Sequence, residues 1–173
     1  MTGRDLADLL DEHGYDFFTG VPCSLVEALL AELETRAAAR DARSPYIPSV
    51  REDIAIGLAA GAWLGGQRAA LLMQSSGVGN CINMLSLAKS CRFPLTLLVT
   101  MRGEWGEFNP WQVPMGTKTQ AALELMDVLV YRVEREDEAG ETVAAALDIA
   151  FNGGLVTAIL LSQRLIGAKR WVK

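Results

Sequence analysis

Glu52 follows Ser49-Val50-Arg51 and heads a segment in which Gly57, Ala59, Ala60, Gly61 and Ala62 leave almost no side-chain bulk. A carboxylate in that place can do one of two things. Three residues after a serine, it completes a capping box by reaching back to the first N–H of its own helix. Turned outward instead, it offers a ligand a hydrogen-bonding or proton-transferring group. The local pattern leaves both readings open. A second stretch, Gln74-Ser75-Ser76-Gly77-Val78-Gly79-Asn80, follows the apolar run Ala69 to Met73. A strand leading through small residues into a helix brings backbone N–H groups close to whatever binds there. It is not a dinucleotide fingerprint: the third glycine would fall at Ile82, and no acidic residue ends the next apolar run near Thr100. Nor is it a P-loop, which needs a lysine where Cys81 and Ile82 stand. A tight turn that requires glycine accounts for the same spacing.

Further candidates lie in the long segment from Met101 to Thr117 and just after it. Arg102, Gln112 and Lys118 are positioned to bind a substrate anion, although an arginine at a strand end serves equally well in a structural salt bridge. Trp105, Phe108 and Trp111 alternate with Glu104, Glu107 and Asn109, a density that suits an interface or a lid, or else packing beneath the loop. Cys23 falls near the expected start of the second helix, where a helix dipole favours thiolate. The three cysteines are odd in number and widely spaced, with only His13 to join them, so no metal site and no disulfide framework is expected. Cys81 reads as a core residue, and His13 as a solvent-facing or C-capping residue of the first helix.

Alternating elements must position these groups. Leu6, Leu9 and Leu10 recur at helical spacing between Thr2 and Gly14, and a short strand spans Tyr15 to Thr19. Helices are expected at about 23–39, 51–64 and 80–88, from 119, and at 141–151. Strands are expected at 46–48, 69–74, 95–100, 128–133 and 156–161. This order predicts a three-layer α/β/α fold with a roughly six-stranded parallel sheet, residues 1–173 forming a single domain. Ligands of such sheets bind beyond the carboxyl ends of the strands, where all the candidates above lie. The small-residue helix, whose Gly57 and Gly61 each cost about 1 kcal/mol of helix propensity, is expected to be central and tightly packed. A net charge of −5 argues against nucleic acid or an anionic membrane as partner. Apolar runs such as Leu95 to Met101 fall far short of the roughly 20 residues that span a bilayer, and the acidic start lacks a signal-peptide pattern, so a cytoplasmic protein is expected. A mean hydropathy of +0.19 points to a large permanent interface.

Taken together, Val21-Pro22-Cys23, Val50-Arg51-Glu52, Gly57, Ala60-Gly61-Ala62, Leu71-Leu72-Met73-Gln74, Ser76-Gly77-x-Gly79-Asn80, Asn83, Arg102-Gly103, Gln112-Val113-Pro114-Met115-Gly116 and Thr119 resemble, in order, one known set. It is that of the thiamine diphosphate-dependent decarboxylases of sulfopyruvate and phosphonopyruvate, in their pyrimidine-binding half. The resemblance implies that Glu52 hydrogen-bonds N1′ of the aminopyrimidine and favours its imino tautomer. It also implies that Gln74, Ser76, Gly77, Gly79 and Asn80 line the cofactor, and that Cys23 and Ser24 lie near the substrate. Thiamine diphosphate is then shared with a beta subunit, which holds the diphosphate and Mg2+ through a Gly-Asp-Gly motif that this sequence lacks. An α2β2 or larger assembly is implied, acting on a small 2-oxoacid. The same half-site would serve a carboligase, and the fold without the chemistry would be a binding module. Asp53, Ile54, Ala55 and Ser75 depart from the family pattern, and the catalytic aspartate and tandem histidines of more distant pyruvate decarboxylases are missing, Ser24 standing at the aspartate's place.

Overall fold

The computed structural model describes residues 2–24, 26–39 and 45–167. Helix α1 (Gly3–Glu12) opens on a capping box: Asp5 N–H donates to Thr2 Oγ1 at 3.2 Å and Thr2 N–H to Asp5 Oδ2 at 2.7 Å. It closes at His13, whose Nδ1 lies 2.7 Å from the Leu9 carbonyl, so the histidine is a C-cap. Gly14, at φ +73°, then turns the chain towards the sheet. There follow β1 (Phe17–Gly20), α2 (Glu27–Ala39), β2 (Tyr46–Pro48), α3 (Glu52–Leu64), β3 (Ala69–Gln74), α4 (Ser75–Cys91) and β4 (Leu95–Thr100). A 3-10 turn (Pro110–Gln112) and the short helices α5 (Val113–Gly116) and α6 (Thr119–Leu125) lead to β5 (Leu129–Val133). The chain continues through α7 (Glu136–Gly153) and β6 (Val156–Leu161) to α8 (Gln163–Ile166).

The six strands form one sheet of order β2-β1-β3-β4-β6-β5, and every neighbouring pair is parallel. The direction of travel across it reverses twice, after β2 and after β5. Crossovers are right-handed, so each reversal moves the next helix to the opposite face. Alternate residues of the strands divide the core accordingly. Leu71, Met73, Leu97 and Val99 pack with buried residues of α3, α4 and α6. Ala70, Leu72, Leu98 and Ile159 pack with those of α1, α2 and α7. Both faces of the central strands are buried, which accounts for their unbroken apolar runs. Within the second layer the Tyr15 hydroxyl lies 2.6 Å from Thr96 Oγ1 and donates to the Leu147 carbonyl at 3.2 Å; burial pushes its pKa to about 12.

Five expectations need correction. Helix α7 spans Glu136–Gly153 and not 141–151. Helix α4 begins at Ser75, immediately after β3, and not near Asn80, so the expected glycine turn is the helix's own first turns. Helix α2 begins at Glu27, because Cys23 and Val26 close a separate turn (Val26 N–H to Cys23 O, 3.1 Å); Cys23 is therefore not at a helix N-terminus, and Leu25 lies outside the described residues. The 101–117 segment is not a plain loop but contains the 3-10 turn and α5. Finally, α3 is packed on one side only: Ala55, Ile56, Ala59 and Ala62 are buried, whereas Ile54, Gly57, Gly61 and Leu64 share an exposed side. A methyl group added at Gly57 or Gly61 would meet nothing within 4 Å.

Candidate cofactor site

The first reversal places a crevice between the carboxyl ends of β1 and β3, and α3, which makes that crossover, starts beside it. Glu52 is the first residue of α3, with Arg51 as an N-cap whose side chain makes no capping bond. The serine that could have completed a capping box is engaged elsewhere: Ser49 Oγ donates to the Arg51 carbonyl at 2.6 Å. Glu52 therefore does not fold back on its own helix. Its side chain, only 7% exposed, crosses to α4, where Asn80 Nδ2 donates to Glu52 Oε2 at 2.9 Å.

Gly77 makes that crossing possible. A Cβ there would stand 2.4 Å from Glu52 Oε1 and 2.6 Å from both Cδ and Cγ. Gly77 has no positive φ, and so serves close approach and not turn geometry. The carboxylate thus lies against the first turns of α4, whose dipole favours negative charge. A Cβ at Gly79 would stand 3.3 Å from Met115 Sδ, so α5 lies close over the same helix. Cys81 is buried behind the pair; desolvation first, then the charges of Glu52 and Asp53, raise its thiol to about 12. Asp53 itself turns away to Arg51, which donates to it at 3.0 and 3.1 Å.

Gln74 and Ser76 are half-buried at the same helix start, Gln74 as an N-cap without a side-chain capping bond. Ser75 is fully buried and ties two strand ends together, donating to the Arg102 carbonyl at 3.1 Å and accepting from Arg102 N–H at 3.0 Å. Cys23 is half-buried, with Sγ 3.6 Å from Thr100 Oγ1, and Ser24 is exposed in the same turn. Lys118 is exposed at the α6 N-cap. Gln112 is 8% exposed, and its Oε1 is buried without a hydrogen-bond partner among the described residues. That orphaned acceptor beside the crevice loops fits a site that a ligand donor completes.

Of the two readings its sequence allowed, Arg102 takes the second. It donates from Nε and Nη2 to the two oxygens of Glu107, at 2.7 and 2.6 Å, and its guanidinium lies over Phe108 at 5.5 Å. This is the structural salt bridge. Glu107 also accepts from the N–H groups of Gly103 and Asn109 and from Gln163 Nε2, and the Arg102 bond foremost holds its pKa down at about 2. Glu104 accepts from Ser162 Oγ at 3.0 Å, from Gln163 N–H at 2.7 Å and from Arg132, while Gln163 Oε1 accepts from the N–H groups of Glu104 and Trp105. Reasoning from sequence missed this clasp. Its signal was two glutamates near an arginine in a segment otherwise read for its aromatic residues. Trp105 lies under Arg164 at 5.5 Å, and Trp111 projects 82% exposed. Among the described residues no group of three or more His, Cys, Asp or Glu could hold a metal ion, and no helix is long and apolar enough to cross a membrane.

Glu52 is thus a buried carboxylate at the switch point of a parallel sheet, braced by the next helix. Residues 1–123 match the thiamine pyrophosphate enzyme N-terminal TPP binding domain, and the chain belongs to that family. It is 36% identical over 151 residues to the sulfopyruvate decarboxylase subunit alpha of Methanococcus maripaludis, covering 87% of each chain. The subunit alpha of Methanothermobacter thermautotrophicus is 34% identical over 88% of this chain and 90% of its own. The phosphonopyruvate decarboxylase of Streptomyces viridochromogenes is 36% identical over 72% of this chain, a region that makes up 30% of that larger protein. A solved structure of 2-oxoglutarate:ferredoxin oxidoreductase from Magnetococcus marinus shares the fold (TM-score 0.70, 16% identity) over 96% of this chain and 29% of that one.

Proposed function

We propose that this chain is the alpha, pyrimidine-binding subunit of a cytoplasmic thiamine diphosphate-dependent decarboxylase that converts 3-sulfopyruvate or phosphonopyruvate to the aldehyde and CO2. The observation that carries the reading is Glu52, buried at the switch point and turned off its own helix onto Asn80. A carboxyl group so fixed can exchange a hydrogen bond and a proton with a ring nitrogen. With the coenzyme bound, Glu52 would be the group of this chain that hydrogen-bonds the aminopyrimidine ring. Thiamine diphosphate supplies the electron sink that accepts the bonding pair as carbon dioxide leaves. The remaining duties fall to residues of this chain: Gln74, Ser76, Gly77 and Gly79 line the ring, and Gln112, Cys23, Ser24 and Lys118 face the substrate side. Arg102 would act there through the shape of its loop, its charge being already matched by Glu107.

The beta partner is proposed on two grounds. No Gly-Asp-Gly occurs in the chain, so the diphosphate and Mg2+ need another holder. The exposed side of α3, with Ile54, Leu64 and two glycines, is apolar and flat enough for another backbone to come close. An α2β2 assembly, with the active site where the two subunits meet, is the smallest that suits this reading. The test is co-expression with the neighbouring Gly-Asp-Gly subunit and assay of thiamine-dependent CO2 release from both substrates. Glu52→Gln should lower kcat at least a hundredfold in an assembled complex, in line with the loss of an acid–base group. A rate within threefold of the parent would refute the assignment.

A further inference from the structure

The partner of Glu52 has a consequence of its own. Of the two carboxylate oxygens, Oε2 accepts from Asn80, while Oε1 lies beside Gly77 and accepts no hydrogen bond among the described residues. The asparagine amide nitrogen is a pure donor, so the contact has one polarity. It directs any proton on the carboxyl group to Oε1. It also freezes a side chain that otherwise has three rotatable bonds, and Gly77 clears the space in which it is frozen. Gly77 and Asn80 are three positions apart on α4 and share a face, which makes them one seat.

We propose that Asn80 is a positioning residue that serves the coenzyme through Glu52, by selecting the oxygen and the direction that Glu52 presents, and is not itself a coenzyme ligand. The inference rests on the role of Glu52 given above. A group that must meet a ring nitrogen in one geometry gains from being held before the ring arrives. An exposed asparagine on α4 has no other bonding partner in the described structure.

The experiment is a double-mutant cycle on the assembled αβ complex, with thiamine diphosphate affinity read by calorimetry in the presence of Mg2+. Glu52→Ala should weaken binding. Asn80→Ala should weaken it about tenfold in the parent background, the loss expected of one hydrogen bond to a charged group, and by less than twofold in the Glu52→Ala background. An equal loss in both backgrounds would mean that Asn80 touches the coenzyme directly, and would overturn the proposal; so would no loss in the parent. An unchanged affinity in Glu52→Ala would instead bring down the assignment of Glu52 itself, and the inference with it. Asn80→Asp keeps the side-chain shape and guards against a folding artefact. It places a second carboxylate against Oε2, so it should weaken binding where Glu52 is present and change it by less than twofold in the Glu52→Ala background. An equal change in both backgrounds would count against the seat.

Discussion

Glu52 reaches its partner across a gap that only glycine leaves open, so the sharpest test at the scale of single residues is a single methyl group. Gly77→Ala places a Cβ 2.4 Å from the carboxylate, and what must yield is the tip of a flexible side chain, not backbone. The fold should therefore survive and the carboxylate should move. The expected outcome is assembly and a melting temperature close to the parent, with kcat reduced tenfold or more, since small displacements of a positioned group are costly. Gly140→Ala, on α7 away from the site, is the control: its new methyl would meet nothing within 4 Å, and activity should stay at the parent level. Sequence alone singled out Glu52 and the glycines as candidates and left their geometry open. Ser49 and Glu52 stand at capping-box spacing, and only the hydrogen bond from Ser49 to Arg51 shows that the box does not form. Nor does local spacing reveal that Gly77 is small to admit a side chain from another helix.

At the scale of elements, the segment between β4 and α6 is held by charge. Glu107 is the hub, with five donors around it and its side chain almost wholly buried. Replacing it with glutamine removes the negative charge and leaves Arg102 buried without its counter-ion, at a cost of about 3 kcal/mol. Glu107→Gln should lower the melting temperature of the complex and loosen the turn that carries Gln112, which calorimetry and a raised KM would register together. The pH dependence follows from the lowered pKa. The folded carboxyl titrates at about 2 against 4.5 in the unfolded chain, so its contribution is complete above 4.5 and is lost as pH falls from there towards 2. The parent should show an acid-induced loss of stability in that window, and Glu107→Gln a smaller one. The strands β2, β3, β4 and β6 were readable to the residue, because short apolar runs between turn signals leave little freedom. The clasp was not, because its partners Glu104, Glu107, Arg132 and Gln163 come from separate parts of the chain and meet only when β6 pairs beside β4.

At the scale of the whole molecule, the parallel sheet follows from the alternation of elements, and the two reversals of direction decide which helices share a layer with the crevice. What local patterning could not supply was the state of α3. Its small residues promised close packing, and one side delivers it through Ala55, Ala59 and Ala62. The other side, with Gly57 and Gly61, faces open space. If that side receives the beta subunit, Gly61→Glu should leave the circular dichroism of the alpha chain unchanged and weaken assembly about a hundredfold, measured by co-purification and by sedimentation. Retention of the complex at parental affinity would show that the companion docks elsewhere.

Helix α3 also bears on how such a chain fares before it meets its companion. Two glycines on a bare helical surface are a standing entropic debt, and apolar Ile54 and Leu64 beside them invite adhesion to whatever is at hand. Newly made alpha chains without a mate would be open to cleavage and clumping, so that cellular levels of the pair would track the scarcer member and matched synthesis from adjoining genes would be favoured.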